Sequence, residues 1–505
     1  MSSIRAIHQY DVVVIGGGIA GIAIAEILSR NSDLTIKVIE AEPKLGGGAS
    51  GKLEGWYHSG ALYSGSDDAQ TFMNCLNGIE DLQRFYSTYF RGRCNMSLGE
   101  SMPGHFLPKV EGRGWFSDNH VMYVLPCKSS PDIRLSRLKN DWLLWKIQKK
   151  RMLSRLDAAF KLHNWLGPEG CTSPTLEQIE SYQNGHQCSL SCSSAELQEI
   201  CARYQKSFEL EPSRHDFIRS NDVTMNTTTI LQDLVASAIA NGVDFETGVT
   251  IDKLIFDRGE PMQISSILCR DEQGRIAHIK AKTFVLAMGA GLQKLLPQLT
   301  LRTQLKVSKS TMIVASPSLT PMNFARISVK DKFHFNHLVR QSPLEPRYSE
   351  YSMLANSRFS EEDSGVESSV SNADSLLEAA ERYFGSKALY SRELHSYDCL
   401  KTEFISDEDE KRRYSYWIER KGNAVCVLPG KFSFFATVAY QSYLEIKNMI
   451  GFKEAARERY AADQDCQMAA RELVADHFAR TVLLESKYAQ MTRQRSRSAE
   501  LSLVA

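Results

Sequence analysis

Gly16, Gly18 and Gly21 lie between a run of β-branched residues at 12–15 and an apolar stretch of helical character. Glu40 closes the next apolar run, at 35–39. Glycines at this spacing, after a strand and opening a helix, suit a bound pyrophosphate. Gly16 permits a tight turn. Gly18 lets the backbone come close to the phosphates, and Gly21 lets the helix pack on the strand. The amides of Ile19 and Ala20, with the positive end of the helix dipole, face the anion. Glu40, followed by Ala41, stands where a carboxylate accepts hydrogen bonds from ribose hydroxyls. Residues 11–40 thus read as a strand–turn–helix–strand unit for the ADP half of a dinucleotide. The plainer alternative is a Gly-rich turn in a buried α/β unit. A membrane anchor over 12–28 is excluded by three consecutive glycines and by the flanking charges Glu26 and Arg30.

The next segment narrows the choice of dinucleotide. A nicotinamide enzyme would continue with alternating strands and helices. Here a loop rich in Gly, Ser and aromatics runs from 46 to 64, long enough to pass under an extended cofactor. It carries His58, whose near-neutral imidazole can accept a hydroxyl proton as hydride leaves. It also carries Tyr63, a hydrogen-bond donor for an anionic substrate group. Far along the chain, Lys431 sits between Pro429-Gly430 and the apolar run FSFFATVA, a setting for a buried cation beside developing negative charge. Arg340, at the end of a predicted strand, is an anion-binding candidate, with an exposed edge arginine as the alternative.

These segments resemble the D-amino-acid-oxidase-like FAD-dependent oxidoreductases, nearest the branch of FAD-dependent glycerol-3-phosphate dehydrogenases and L-2-hydroxyglutarate-type enzymes. Four elements carry the resemblance, in order. The first is the Gly-rich unit followed by Ala49, Ser50, Gly51, Gly55, His58, Ser59, Gly60 and Tyr63. The second is the helix over 229–240, ending at Asn241-Gly242, with the strand over 243–247 and Val249 at the adenine side. The third is the strand over 283–287, which delivers Ala287 and Gly289 to the cofactor. The fourth is Gly430, Lys431, Phe432 and Ser433 ahead of a helix from about 434. The resemblance implies FAD, held without a covalent bond, and His58, Lys431, Tyr63 and Arg340 as site residues. Three positions depart from it. Leu62 stands where the glycerol-phosphate branch has an arginine, so a phosphate-binding cation is missing and glycerol 3-phosphate is not the expected substrate. Pro429 replaces a glycine and Ser433 a threonine, with Phe432 and Phe434 around it, and these changes suit an apolar pocket near the ring and a larger or less polar substrate.

The resemblance implies an α/β fold: a discontinuous Rossmann-like FAD-binding domain, an antiparallel-sheet substrate domain and a helical insertion. The expected division is 1–124 for the first FAD-binding part with the flavin loop, 125–214 for a basic helical insertion, and 215–300 for the second FAD-binding part. A substrate domain at 301–414, an FAD-binding element at 415–455 and a C-terminal helix and tail at 456–505 complete it. Strand-like patches at 306–314, 325–329 and 333–340 fit the substrate sheet. Residues 360–376, rich in Ser and acids, read as a solvated loop. Residues 130–166 read as a basic amphipathic helix, either a surface for a membrane or redox partner or a helix packed on its own domain. His186, Cys188, Cys192 and Cys201 lack paired spacing, so no metal site is expected.

Bulk properties set outer limits. The 505 residues allow two or three domains, and a hydrophobic content of 43% is enough for large cores. Sixty basic and sixty acidic residues balance, so no nucleic-acid partner is expected. The Gly-rich unit leaves no room before it for a secretory signal, and eleven cysteines show no framework spacing, which reads as a reducing compartment. The expected location is the cytoplasm, extending to peripheral contact with the inner face of a membrane. The expected activity is a dehydrogenase or oxidase acting on a C–OH or C–N bond of a small molecule. Electrons would pass on to a quinone, a carrier or oxygen. The rivals are a non-catalytic FAD-binding scaffold or redox sensor, and a nicotinamide dehydrogenase. Purified protein is therefore expected to be yellow; a colourless protein that takes up no added FAD would contradict this reading.

Overall fold

The structure is a computed structural model. It describes residues 8–58, 61–63, scattered positions from 71 to 86, 115–126, 189–191, 215–260, 262–301, 303–327, 334–340, 350–357, 360–361, 366–405, 412–413, 415–454 and 462–475. The predicted basic helix at 130–166, the His186/Cys cluster, Ser59, Gly60 and the tail beyond 475 lie outside the described residues.

In chain order the elements are β1 (His8–Ile15), α1 (Ile19–Asn31), β2 (Ile36–Glu40), α2 (Ala49–Lys52), β3 (Trp56–Tyr57), β4 (Phe116–Pro126), β5 (Ser189–Ser191) and β6 (His215–Met225). Then come α3 (Thr227–Ala240), β7 (Asp244–Thr247), β8 (Val249–Phe256), β9 (Ile264–Asp271), β10 (Ile276–Leu286), β11 (Gln304–Ser316), β12 (Asn323–Ile327), β13 (His334–Arg340), β14 (Tyr351–Asn356) and β15 (Ser360–Glu361). The last elements among the described residues are α4 (Val366–Phe384), α5 (Ser386–Tyr390), β16 (Glu393–Ile405), β17 (Arg412–Arg413), β18 (Trp417–Lys421), β19 (Ala424–Leu428), α6 (Phe435–Ile450) and α7 (Gln464–Leu473).

The first sheet runs β18-β19-β10-β1-β2-β7, and its strands β19, β10, β1, β2 and β7 are parallel. Parallel strands covered on both faces need apolar residues on both sides. Val12 and Val14 point to a helical layer that includes α1, α3 and α6, while Val13 and Ile15 point to a cluster with β8, β9 and the turns after β10. Chain order reverses at β1: β2 lies on one side and β10 on the other. Ligands of such sheets bind in the crevice at this switch point, outside the carboxyl ends of the strands.

The second sheet is broader than expected. Its order is β17-β16-β11-β14-β13-β12-β4-β6-β3, so it takes β3, β4 and β6 from before residue 226 as well as strands from 304–413. It is antiparallel except where β4 joins β12. Its inner face carries Trp56, Tyr123, Met312, Leu338, Met353 and Tyr397. Its outer face is covered by α4, and this corrects the solvated loop expected over 360–376. Ala373, Leu376, Ala380 and Tyr383 are buried and recur at helical spacing, and the last three pack with Ile313, Phe324 and Phe335. The Ser and acidic residues between them occupy the other face of an amphipathic helix.

The chain end returns to the first sheet. Leu45 donates its amide to Leu473 O (2.9 Å) and accepts the amide of Ala475 (2.8 Å), so the residues after α7 run as a short strap beside the loop that follows β2. No helix among the described residues is long and apolar enough to cross a membrane.

A buried ion pair ties the helical layer together. Arg30 Nε lies 2.8 Å from Glu26 Oε1, which also accepts from Ser237 Oγ of α3 at 2.9 Å. The guanidinium reaches the carbonyl of Phe85 at 3.2 Å and lies over the ring of Tyr86. Removing one partner strands a charge in the interior. Arg30→Ala is therefore expected to cost about 3–5 kcal/mol in denaturant unfolding, and a loss within the scatter of a surface substitution would contradict the buried pair.

Candidate active site

The segments singled out for a cofactor meet at one edge. β1 ends at Gly16, β10 at Ala287 and Gly289, and β19 at Gly430 and Lys431; β2 ends at Glu40. Three of these exits turn through a left-handed glycine, with φ of +111° at Gly16, +55° at Gly289 and +64° at Gly430. At Gly430 a Cβ would lie 2.1 Å from the carbonyl oxygen of Ser415. At Gly16 it would lie 2.4 Å from the carbonyl oxygen of Ala287, and the Ala287 amide in turn donates to Ile15 O at 2.8 Å. The space beside Gly289 is open, so its visible requirement is the left-handed turn rather than close packing.

The other predicted cofactor residues line the same edge. Glycine at position 18 gives α1 no side-chain cap. The amide of Ile19 donates to Ser50 Oγ (2.9 Å), which joins the start of α1 to Ala49, Ser50 and Gly51 of α2. Ala20 and Gly21 follow in the first turn of α1. Glu40 accepts the amides of Gly17 (2.6 Å) and Glu42 (2.8 Å), and burial raises its pKa. It holds the Gly-rich turn in place. Ala41 is exposed just past it, and Val249 is buried in the cluster with Ile15 and Ile39. Phe432 and Ser433 start the turn before α6, and Ser433 Oγ is buried with no partner among the described residues. A glycine cradle that a Cβ would fill, an uncapped helix start and a buried hydroxyl with no partner fit an extended dinucleotide.

His58, Tyr63 and Lys431 come together although 368 positions separate the last two. Lys431 Nζ donates to Tyr63 OH at 2.5 Å and lies 4.5 Å from the centre of the Tyr63 ring. His58 meets the edge of the same ring with centroids 5.3 Å apart. Burial lowers the pKa of Lys431 to about 8, with Lys401 acting in the same direction against Glu403 and Glu54. Burial, Lys431 and Lys401 lower that of His58 to about 4, against Asp222. At pH 7 the site thus holds a neutral imidazole next to a cation.

Arg340 is interior, not an exposed edge residue. Its guanidinium donates to Leu53 O (3.1 Å) and Thr227 Oγ1 (2.8 Å), fastening the segment between α2 and β3 to the start of α3. Leu62 packs on the apolar cluster around Trp56, as its type suggests. The surroundings of Lys431 are not apolar, however. Glu54 accepts from Asn336 Nδ2 (3.2 Å), and burial raises its pKa while Lys401 and Lys431 act against that rise. Asp222, Glu54, Asn336, Lys401 and Glu403 are the residues that sequence reasoning missed. Asp222 lay inside a recognised segment; the others carried no local signal.

The family described as FAD-dependent oxidoreductase, DAO, matches residues 11–417. No curated protein matches by sequence. Among solved structures, glycerol-3-phosphate dehydrogenase from Bacillus halodurans, complexed with FAD, superposes with a TM-score of 0.52 at 14% identity. That match covers 88% of this chain and 66% of the enzyme, so the chain spans a little under two thirds of its length. Glycine oxidase from Geobacillus kaustophilus gives 0.54 at 13% identity, covering 90% and 99%. L-alpha-glycerophosphate oxidase from Mycoplasma pneumoniae, with FAD bound, gives 0.55 at 11%, covering 90% and 98%. At these identities the likeness is one of fold.

Gly16→Ala forces a left-handed backbone on alanine and a clash with Ala287. It is expected to weaken FAD binding at least about tenfold, equivalent to about 1.4 kcal/mol of strain or lost contact, in a fluorescence titration of apoprotein. Gly259→Ala, on a loop with no crowding, is expected to leave binding unchanged. Equal affinity in both variants would contradict the cradle.

Proposed function

The chain belongs to the DAO family of FAD-dependent oxidoreductases, and from that premise we propose that it oxidises a C–OH or C–N bond of a small polar substrate between His58 and Lys431. One observation carries this reading: the Lys431–Tyr63 contact, beside His58, at the edge where the glycine turns converge. When bound, FAD supplies the acceptor for the hydride equivalent that leaves the substrate carbon. Gly16, Gly18, Ile19, Ala20, Gly21, Glu40, Ala41, Ala49, Ser50, Gly51, Val249, Ala287, Gly289, Gly430, Lys431, Phe432 and Ser433 would hold it.

In this reading His58 takes the proton of the substrate hydroxyl or amine. Its low pKa keeps it neutral, and so available to accept, across the physiological range. Lys431 supplies positive charge where negative charge develops. Tyr63 fixes the ammonium and offers a second hydrogen-bonding group to the substrate. Arg340 acts through the backbone it fastens. The charged groups around Lys431 favour a substrate with polar or ionic substituents over the apolar one suggested by Leu62 and Pro429. The electron acceptor would be a quinone, a carrier or oxygen. The five cysteines among the described residues are free thiols, which supports a reducing, cytoplasmic setting. FAD would lie on the first sheet and its helices, and substrate on the second sheet, in which β3, β4 and β6 join the strands from 304–413.

An anaerobic panel of hydroxy acids, polyol phosphates and amino acids, glycerol 3-phosphate and glycine included, tests the activity through bleaching of flavin absorbance. A flavin that binds but is bleached by nothing in the panel would favour the scaffold reading. The pH dependence follows from two depressed pKa values. Lys431 is charged below about 8 and neutral above it; His58 is neutral above about 4. With the reducing substrate, kcat/KM is expected to rise through about pH 4 and fall through about pH 8. Lys431→Arg is expected to carry the alkaline limb beyond about pH 10, because a guanidinium stays charged there. A profile flat through pH 8 to 10 in the parent protein would contradict the role of the cation.

A further inference from the structure

We infer that Asp222 is the positioning residue for His58: pinned by Trp56 and Tyr123, its carboxylate keeps the imidazole proton on Nδ1 and leaves Nε2 as the atom that receives the substrate proton. This rests on the reading of His58 as the base.

The register of the second sheet makes the pairing. Trp56 faces Thr224 and Tyr57 faces Val223 across the antiparallel β3/β6 ladder. Carried one residue further, the same register sets His58 opposite Asp222. Side chains opposite one another in such a ladder share a face. Nδ1 of His58 lies 3.6 Å from Asp222 Oδ2; it is buried and has no other partner among the described residues.

Asp222 is itself fully buried, in the interior of β6. A carboxylate there is costly unless its oxygens are bonded. Oδ2 accepts from Trp56 Nε1 (2.7 Å) and from Tyr123 OH (2.6 Å), donors carried by the two strands that flank β6. These two short bonds fix the carboxylate, so its orientation does not depend on His58. The Trp56 ring lies against the imidazole with centroids 4.5 Å apart and planes 31° from parallel. Ring and carboxylate are therefore both held. At 3.6 Å the two groups are in ion-pair contact, longer than a hydrogen bond.

The electrostatics give this contact its purpose. Two cations, Lys431 and Lys401, oppose a positive charge on His58; Tyr63 meets it edge-on, and Asp222 is the anion that favours the charge. FAD, when bound, would accept the C–H hydrogen together with its electron pair; the O–H or N–H proton moves to Nε2, and C=O or C=N forms. The imidazolium then donates through Nδ1 to Asp222. Without the carboxylate, the tautomer with the proton on Nε2 becomes available, and that tautomer has no lone pair where the substrate proton arrives.

The test compares Asp222→Asn with Asp222→Glu and His58→Ala, each checked first for bound FAD and thermal midpoint. Nitrogen-15 spectra of histidine-labelled protein, with the His58 signal assigned by its loss in His58→Ala, are expected to show protonated Nδ1 in the parent. Asp222→Asn is expected to shift protonation towards Nε2. With a substrate that bleaches the flavin, Asp222→Asn is expected to lower kcat at least about tenfold, less than the roughly 10²–10⁴-fold typical of losing the base itself, with KM little changed. Asp222→Glu is expected to recover part of the loss, and Asp222→Asn is expected to add nothing in a His58→Ala background. An Nε2-protonated His58 in the parent protein would overturn the inference. So would unchanged kcat in Asp222→Asn alongside a large loss in His58→Ala. If His58→Ala itself retains turnover, the base assignment falls, while the spectra still decide what Asp222 does.

Discussion

The approach of β1 to β10 at Gly16 and Ala287 is the constraint on which the rest depends. Two parallel strands diverge in connection there, and the chain must leave β1 in a left-handed turn against a neighbouring carbonyl. Only a residue without Cβ meets both demands. Everything that follows is set from that turn: the uncapped start of α1, the carboxylate of Glu40 on the Gly17 amide, and the crevice in front of the strand ends. The strap at 473–475 closes on the neighbouring loop through Leu45, so the far end of the chain supports the same corner.

The second sheet contributes what the first cannot. The parallel sheet offers backbone amides and turns, which suit phosphates and a flat ring. Proton transfer and substrate recognition need side chains held at fixed angles. These come from the inner face of the broad sheet and from the loops that cross between sheets. His58 enters on the short strand β3, Lys431 on the turn after β19, and Tyr63 joins them. The buried polar groups Asp222, Asn336 and Glu403, with half-buried Glu54 beside them, are hard to place in an apolar core without bonded partners. Their concentration beside His58 and Lys431 gives a physical reason to locate chemistry there.

Local patterns made the first sheet legible. A strand, a glycine and a helix are contiguous in sequence, so residues 11–40, 283–289 and 429–433 announced themselves, as did the helix that became α3. The second sheet was less legible because its pairings are long-range. Nothing near Asp222 signals that Trp56 and His58 will lie across from it, or that Tyr123 will share its oxygen. Glu54 and Lys401 are ordinary polar residues until register places them near Lys431. Composition misled at 371–376, where Ser371, Asp374 and Ser375 lie off the buried stripe of α4 and the buried Ala373 and Leu376 are sparse. Arg340 was recognised for its charge, yet its two hydrogen bonds go to the protein itself.

A structure of the protein with FAD bound tests the central claim most directly. The account predicts the pyrophosphate at the Gly16–Gly18 turn and the isoalloxazine ring in contact with both His58 and Lys431. A ring lodged elsewhere, with those two side chains facing separate cavities, would contradict it.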